Sequence, residues 1–190
     1  MSVYIGNNQL LDTIPLAAGA AVRTDYAGVN NGPLHVVSSG NVPILATVRV
    51  LYGAGSYSEM MGYPGNQLAG EFWYPVYDNQ AVWSQFRASN IGSQATTVSV
   101  YIGNNQLVDS IPLAAGAAVR KNYVLNDGPL HVVSSAGVPI LTTVRTLYNS
   151  QGYYEMLGYP GSELTSTYWF PWYDSTSVDS QLRFAIPPPP

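Results

Sequence analysis

The sequence contains no cysteine and few charged residues. Without cysteine the chain has no disulfide, no thiolate nucleophile and no cysteine-ligated zinc. Charged residues make up 9% of the chain, whereas they make up roughly 25% of an ordinary soluble protein. A surface so poor in charge must be covered by Ser, Thr, Asn, Gln and Tyr. This composition favours an extracellular or assembled protein over a cytosolic enzyme.

Basic residues and long apolar runs are also scarce. Seven Lys and Arg face eleven Asp and Glu, for a formal net charge of −4, and they form no basic patch of the kind that binds a nucleic-acid backbone. No apolar run approaches the ~20 residues of a membrane-spanning helix. The N-terminus lacks the basic and apolar regions of a secretion signal. We therefore expect no nucleic-acid partner and no membrane insertion.

Nearly the whole chain consists of two copies of one unit. Ser2 aligns with Ser99, a shift of 97, and Arg49 with Arg145, a shift of 96, so one residue is lost between these points. The matching segments are SVYIGNNQL, GPLHVVSS, VPIL and the pair FWYPVYD and YWFPWYD. A unit of this length has the size of an independent domain, and it is longer than a solenoid repeat of roughly 20–50 residues.

Each unit contains short segments that are typical of strands. They are rich in β-branched and aromatic residues and are separated by Gly, Pro, Asn and Ser; examples are TTVSVYIG, LHVVSS, PILATVRVLY and EFWYPVYD. PLAAGAAVR is rich in alanine, but it begins with Pro15 and contains Gly19. The sequence therefore predicts an all-β fold of two tandem antiparallel sandwiches of immunoglobulin-like type. A single interdigitated two-fold structure is the alternative.

The phase of the repeat predicts that strands are exchanged. A unit begins near FWYPVYD and ends near EMLGYPG, so the first unit lacks its first one or two strands. A sandwich that lacks a strand exposes unpaired backbone groups and apolar core. The segment 168–187 can fill this gap within its own chain, or in another copy by strand addition. Alternatively, FWYPVYD and the residues after it belong to the domain before them, and the gap costs little.

The domain boundaries follow from this phase. We expect a first sandwich from residues 1–71 together with 168–187, a second sandwich from residues 72–167, and a proline tail at 188–190. The mid-unit start suggests an excerpt from a longer repeat protein.

Charged residues recur at matching positions in a chain that otherwise avoids charge. An arginine among apolar neighbours needs a partner, as Arg49 does between Val48 and Val50. We interpret the recurring residues as a structural set, with Arg49–Glu59 and Arg87–Asp78 as expected pairs. The set comprises Arg49, Glu59, Asp78, Arg87, Arg145, Glu155, Asp174 and Arg183. Paired carboxylates also catalyse glycoside hydrolysis. A hydrolase that uses Glu59 and Glu155 is therefore a third functional candidate.

Aromatic residues are the best candidates for binding. Strand alternation places Trp73 on one face of its strand and Phe72 and Tyr74 on the other. One face belongs to the core, and the other forms an interface or a platform for sugar rings. The candidates are Trp73, Tyr74, Tyr77, Trp83, Trp169, Trp172 and Tyr173.

Catalytic and metal-binding motifs are absent from the sequence. Ser38 and Ser39 follow His35, but no G-x-S-x-G elbow accompanies them, and we interpret His35 and His131 as packing residues. No calcium loop or H-E-x-x-H motif is present. We expect no catalytic residue, no metal and no cofactor.

The duplicated segments resemble tandem immunoglobulin-like repeats of long secreted or cell-surface bacterial proteins. In those proteins, modules of about 100 residues form stalks, adhesin shafts and surface-layer components. The resemblance implies a non-enzymatic spacing, adhesion or assembly role, with neighbouring repeats or other copies of the chain as partners. A carbohydrate-binding module that uses the exposed Trp and Tyr side chains to hold glycans is the alternative.

Overall fold

The structure is a computed structural model that describes residues 1–53, 55–149, 151–177 and 180–189. The chain is all-β, as the sequence predicts. The strands are β1 (Ser2–Ile5), β2 (Gln9–Thr13), β3 (Leu34–Val37), β4 (Thr47–Tyr52), β5 (Ser56–Met61), β6 (Glu71–Tyr74), β7 (Tyr77–Asp78), β8 (Trp83–Asn90), β9 (Thr96–Ile102), β10 (Gln106–Leu113), β11 (Ala118–Lys121), β12 (Asn126–Asp127), β13 (Leu130–Ser134), β14 (Ile140–Tyr148), β15 (Gly152–Leu157) and β16 (Tyr159–Pro160). Short 3-10 helices cover Ser39–Asn41, Gly65–Gln67, Ser135–Gly137 and Gly161–Glu163. In the described residues, no helix is long and apolar enough to cross a membrane.

Residues 71–160 form two antiparallel sheets around one core, and we call them the complete half. The first sheet has the order β10-β9-β13-β6-β16 and the second the order β11-β8-β14-β15. Every second side chain of β8 and β9 is buried, which is the pattern of strands that cover a core on one side. Both sheets contribute to this core, for example through Phe72 and Val100 on the first and Phe86 and Val144 on the second.

Residues 1–61, the N-terminal half, form a three-stranded sheet in the order β2-β1-β3 and a separate hairpin of β4 and β5. The registers match those of the complete half. Tyr4 lies opposite His35 as Tyr101 lies opposite His131, and the β4–β5 and β14–β15 hairpins align in the same way. Five strands of the N-terminal half therefore repeat local pairings of the complete half.

The N-terminal half packs beside the complete half. The backbone N–H of Tyr153 on β15 donates to Ser56 Oγ on β5 at 3.2 Å, and the rings of Tyr52 and Tyr153 lie 6.0 Å apart. Arg120 Nη2 donates to Asn30 Oδ1 at 3.0 Å. These contacts join the two halves through polar groups and aromatic rings, outside the core of the complete half.

Candidate interaction surface

In the complete half, the strands at the centre of each sheet have a neighbour on both sides. β13 lies between β9 and β6, and β14 lies between β15 and β8. Leu130, Ile140 and Val144 on these central strands are consequently buried, with 0%, 0% and 4% of their surface exposed. β6 and β8 thus complete the two sheets over the core.

In the part of the chain that the structure describes, no strand takes the place of β6 or β8 in the N-terminal half. Within the described residues, β3 pairs with β1 alone and β4 pairs with β5 alone. The counterparts of the three buried residues are Leu34, Ile44 and Val48, which are 42%, 36% and 42% exposed. The two copies share these residue types and registers, and they differ in whether a further strand pairs beside them. One edge of β3 and one edge of β4 are open.

The C-terminal segment, residues 164–189, carries the sequence that covers such edges in the complete half. YWFPWYD at 168–174 repeats FWYPVYD of β6 and β7, and SQLR at 180–183 repeats SQFR of β8. The described residues of the segment form no strand. Trp169, Trp172 and Phe184 are exposed at 91%, 82% and 83%. Apolar side chains this exposed are uncommon on the surface of a monomeric soluble protein.

Side chains of the C-terminal segment form the same local hydrogen bonds as their counterparts between β7 and β8. Tyr173 Oη donates to the carbonyl of Ser180 at 2.8 Å, as Tyr77 Oη donates to the carbonyl of Ser84 at 2.9 Å. Asp174 accepts from the backbone N–H groups two and three residues later, as does Asp78. The backbone donors at Ser177 and Thr176 lower the pKa of Asp174 to about 2. The segment therefore keeps the turn that precedes β8, without the strand pairing that follows it.

The C-terminal segment lies beside the complete half. Tyr168 meets Tyr159 edge-on, with ring centroids 5.7 Å apart. Residues 181–184 line an open pocket together with Pro75, Val76 and Asp78. No strand pair joins the described part of the segment to the N-terminal half.

The predicted aromatic candidates fall into two groups. Trp73, Tyr74 and Tyr77 are buried, so they are not available to a ligand from solvent. The alternation predicted for β6 is confirmed, because Phe72 and Tyr74 belong to the core while Trp73 stacks on His131. The exposed candidates are Trp83, Trp169, Trp172 and Tyr173.

The predicted ion pairs are partly correct. Arg49 Nη2 lies 2.9 Å from Glu59 Oε2, which confirms that pair. The expected Arg87–Asp78 pair is wrong, because Arg87 Nη1 binds Glu155 at 3.1 Å. Asp78 instead accepts the two backbone N–H groups of its turn. Arg87 reaches Glu155 because β8 pairs with β14, whose Thr143 lies opposite Arg87.

A cluster around His131 contains a residue that the sequence reasoning missed. Glu71 Oε1 accepts from Trp73 Nε1 and contacts His131 Nε2, both at 2.9 Å, and the indole and imidazole stack 3.6 Å apart. Burial lowers the pKa of His131, opposed by its hydrogen bond to Glu71. Because a carboxylate oxygen can only accept, the imidazole donates its Nε2–H to Glu71. The repeat does not indicate Glu71 as a recurring charged residue, because the matching position in the second copy is Thr167.

The other polar residues considered above have partners of their own. Ser38 Oγ donates to the carbonyl of Val42, and His35 stacks on Tyr4. The carboxylate of Glu155 is held by Arg87, Thr143 and Tyr153, so its oxygens serve a structural network. Among the described residues, no three His, Asp or Glu side chains are grouped as metal ligands.

The chain has no significant match among protein-family models, curated proteins or solved structures.

Proposed function

We propose that this chain is a non-enzymatic structural or adhesive module of the cell exterior, built from two tandem immunoglobulin-like repeats. Copies join end to end by strand donation. The C-terminal segment of one copy enters the N-terminal half of the next and takes the places that β6 to β8 hold in the complete half.

One observation carries this proposal: the two open edges and the unpaired segment correspond to each other. β3 and β4 lack the neighbours that β13 and β14 have in β6 and β8, and the C-terminal segment repeats the sequence of those neighbours. An added strand supplies main-chain hydrogen bonds along an open edge, and its alternate side chains fill the exposed core. The preformed turn at Asp174 reduces the entropy that is lost on binding.

Two observations support strand donation between copies rather than closure within one chain. The segment packs beside the complete half and exposes its apolar side chains. Because each copy carries one donor segment and one acceptor half, the contact is head-to-tail. Such a contact propagates into a line unless the rotation between copies closes a ring. The low charge content and the resemblance to cell-surface repeats support a location outside the cell.

Deleting residues 168–190 tests the proposal. The full chain is expected to show a concentration-dependent ladder of masses by light scattering, and the chain ending at Thr167 to show a single mass with an unchanged melting temperature. A chain that lacks only residues 188–190 is the matched control and should still assemble. If the deletion changes neither mass nor melting, strand donation is wrong. If a full-length monomer loses its fold on deletion, the segment instead closes on its own chain.

Glycan binding is a second candidate, favoured by the exposed indoles of Trp169 and Trp172. Such rings stack on the apolar faces of sugars. Trp169→Ala separates the two functions. It weakens association between copies under strand donation, whereas it weakens only oligosaccharide binding if the indoles form a sugar platform.

A further inference from the structure

Glu59 and Glu155 occupy matching positions in the two halves, but their carboxylates have different partners. In the N-terminal half, Glu59 Oε2 accepts from Arg49 Nη2 at 2.9 Å and from Arg49 Nε at 3.3 Å, and Thr47 Oγ1 donates to Oε1 at 2.9 Å. In the complete half, both oxygens of Glu155 accept from Arg87 Nη1 at 3.1 and 3.2 Å.

The hairpins themselves do not account for this difference. Arg49 lies directly opposite Glu59 on β4 and β5, and Arg145 lies directly opposite Glu155 on β14 and β15. Yet within the described residues Arg145 forms no ion pair. Its guanidinium lies over the ring of Trp83, 4.9 Å from the centroid.

Arg87 takes the place at Glu155 that Arg49 takes at Glu59. It belongs to β8, which covers β14. With Arg87 bound, Arg145 loses the carboxylate and lies close to a second cation. Burial and then the charge of Arg87 lower the pKa of Arg145. Where no strand covers the hairpin, the local arginine keeps the glutamate.

The incoming segment carries the matching arginine. Arg183 is the counterpart of Arg87 in SQLR and SQFR. Its Nε donates to Gln181 Oε1 at 2.6 Å, as Arg87 Nε donates to Gln85 Oε1 at 3.3 Å. Arg183 forms no ion pair with a carboxylate in the described residues. Arg183 is thus held by its neighbour Gln181 and lacks a carboxylate partner among the described residues.

We propose that Glu59 changes partner when copies join, releasing Arg49 of its own hairpin and binding Arg183 of the incoming copy. The inference rests on the strand donation proposed above. It identifies the polar pair that sets the register: Arg183 binds Glu59 when it lies opposite Thr47, as Arg87 lies opposite Thr143. A shift by one residue would turn Arg183 to the other face of the sheet and lose the pair.

A double-mutant cycle on the full chain tests the pair. Glu59→Gln and Arg183→Gln are each expected to weaken association between copies by up to roughly tenfold, the value of one charge-assisted hydrogen-bonded pair less the small value of the exposed Arg49–Glu59 pair that is given up. The double variant is expected to be weaker by the same factor, because the second change has no pair left to remove. Arg49→Gln is expected to leave association unchanged or tighter, since Glu59 then has no arginine to release. Sedimentation equilibrium measures each constant, and circular dichroism checks each fold.

Arg87→Gln is the matched control, because it removes the same interaction inside the complete half. It should lower the melting temperature and leave association unchanged. Additive effects of Glu59→Gln and Arg183→Gln would overturn the exchange while leaving strand donation intact. A loss of affinity on Arg49→Gln equal to that of Glu59→Gln would also overturn it. If the unsubstituted chain does not associate, both the exchange and strand donation are wrong.

Discussion

Tyr168→Ala is expected to weaken association between copies by two to three orders of magnitude and to leave the melting temperature of dissociated copies unchanged. Tyr168 takes the place of Phe72, which is fully buried in the complete half. Removing a buried aromatic side chain costs about 3–5 kcal/mol, and each 1.4 kcal/mol is roughly a factor of ten in affinity. In a copy that is not joined to another, Tyr168 is exposed. Its replacement by alanine therefore removes no packing from the core of that copy.

Phe72→Ala is the matched control for this prediction. The same aromatic-to-alanine change at the matching position is expected to lower the free energy of unfolding by about 3–5 kcal/mol. Urea unfolding of both variants at low protein concentration, with light scattering at high concentration, measures the two effects separately. Equal destabilisation by Phe72→Ala and Tyr168→Ala would contradict strand donation between copies, because Tyr168 would then belong to the core of its own chain.

Gly128→Ala is expected to destabilise the complete half by about 3 kcal/mol or more, a large effect for overpacking. A Cβ at Gly128 would lie 2.2 Å from the carbonyl oxygen of Pro75 and 2.9 Å from the Cα of Val76. These are backbone atoms between β6 and β7, which cannot move aside as a flexible side chain can. Thermal unfolding of the variant measures this effect.

Gly32→Ala makes the same change in the N-terminal half, where the strand is missing. The nearest atom to a Cβ at Gly32 is Ala118 Cβ at 3.4 Å, an ordinary contact, so melting should change little. An incoming Pro171, the counterpart of Pro75, would meet that Cβ. Gly32→Ala should therefore weaken association at least a hundredfold, by the same overpacking. Normal assembly of this variant would show that the donated backbone does not follow the path of β6 and β7.

Much of the fold could be predicted from local sequence, because strand alternation and turn residues act over short distances. The alternation in β6 correctly separated Phe72 and Tyr74 from Trp73. The Arg49–Glu59 pair was also predictable, since its members lie on adjacent strands of one hairpin. The phase of the repeat predicts that the first unit lacks strands, and this stays a prediction.

The residues that depend on distant strands could not be predicted in this way. Arg87 and Glu155 are 68 positions apart, and only the pairing of β8 with β14 brings them together. Arg49 and Arg145 occupy near-identical sequences, yet they differ in partner because a strand outside the hairpin is present in one half and missing in the other. The burial of Trp73 likewise depends on His131 and Glu71, whose contact requires the β6–β13 pairing.

A disulfide between copies tests the central claim most directly, because the chain has no cysteine of its own. Glu71 lies opposite Val133 in β6 and β13, so strand donation places Thr167 of one copy opposite Val37 of the next. Residues directly opposite in antiparallel strands have Cα atoms about 4.5–5.5 Å apart, within the range of about 4.4–6.8 Å that a disulfide spans.

The double variant Val37→Cys/Thr167→Cys is expected to form a reducible ladder of covalent multimers under mild oxidation. The control Val36→Cys/Thr167→Cys, shifted by one residue, should form far less, because alternate residues face opposite sides of the sheet. A monomer with an internal disulfide, or no disulfide at all, would contradict strand donation between copies.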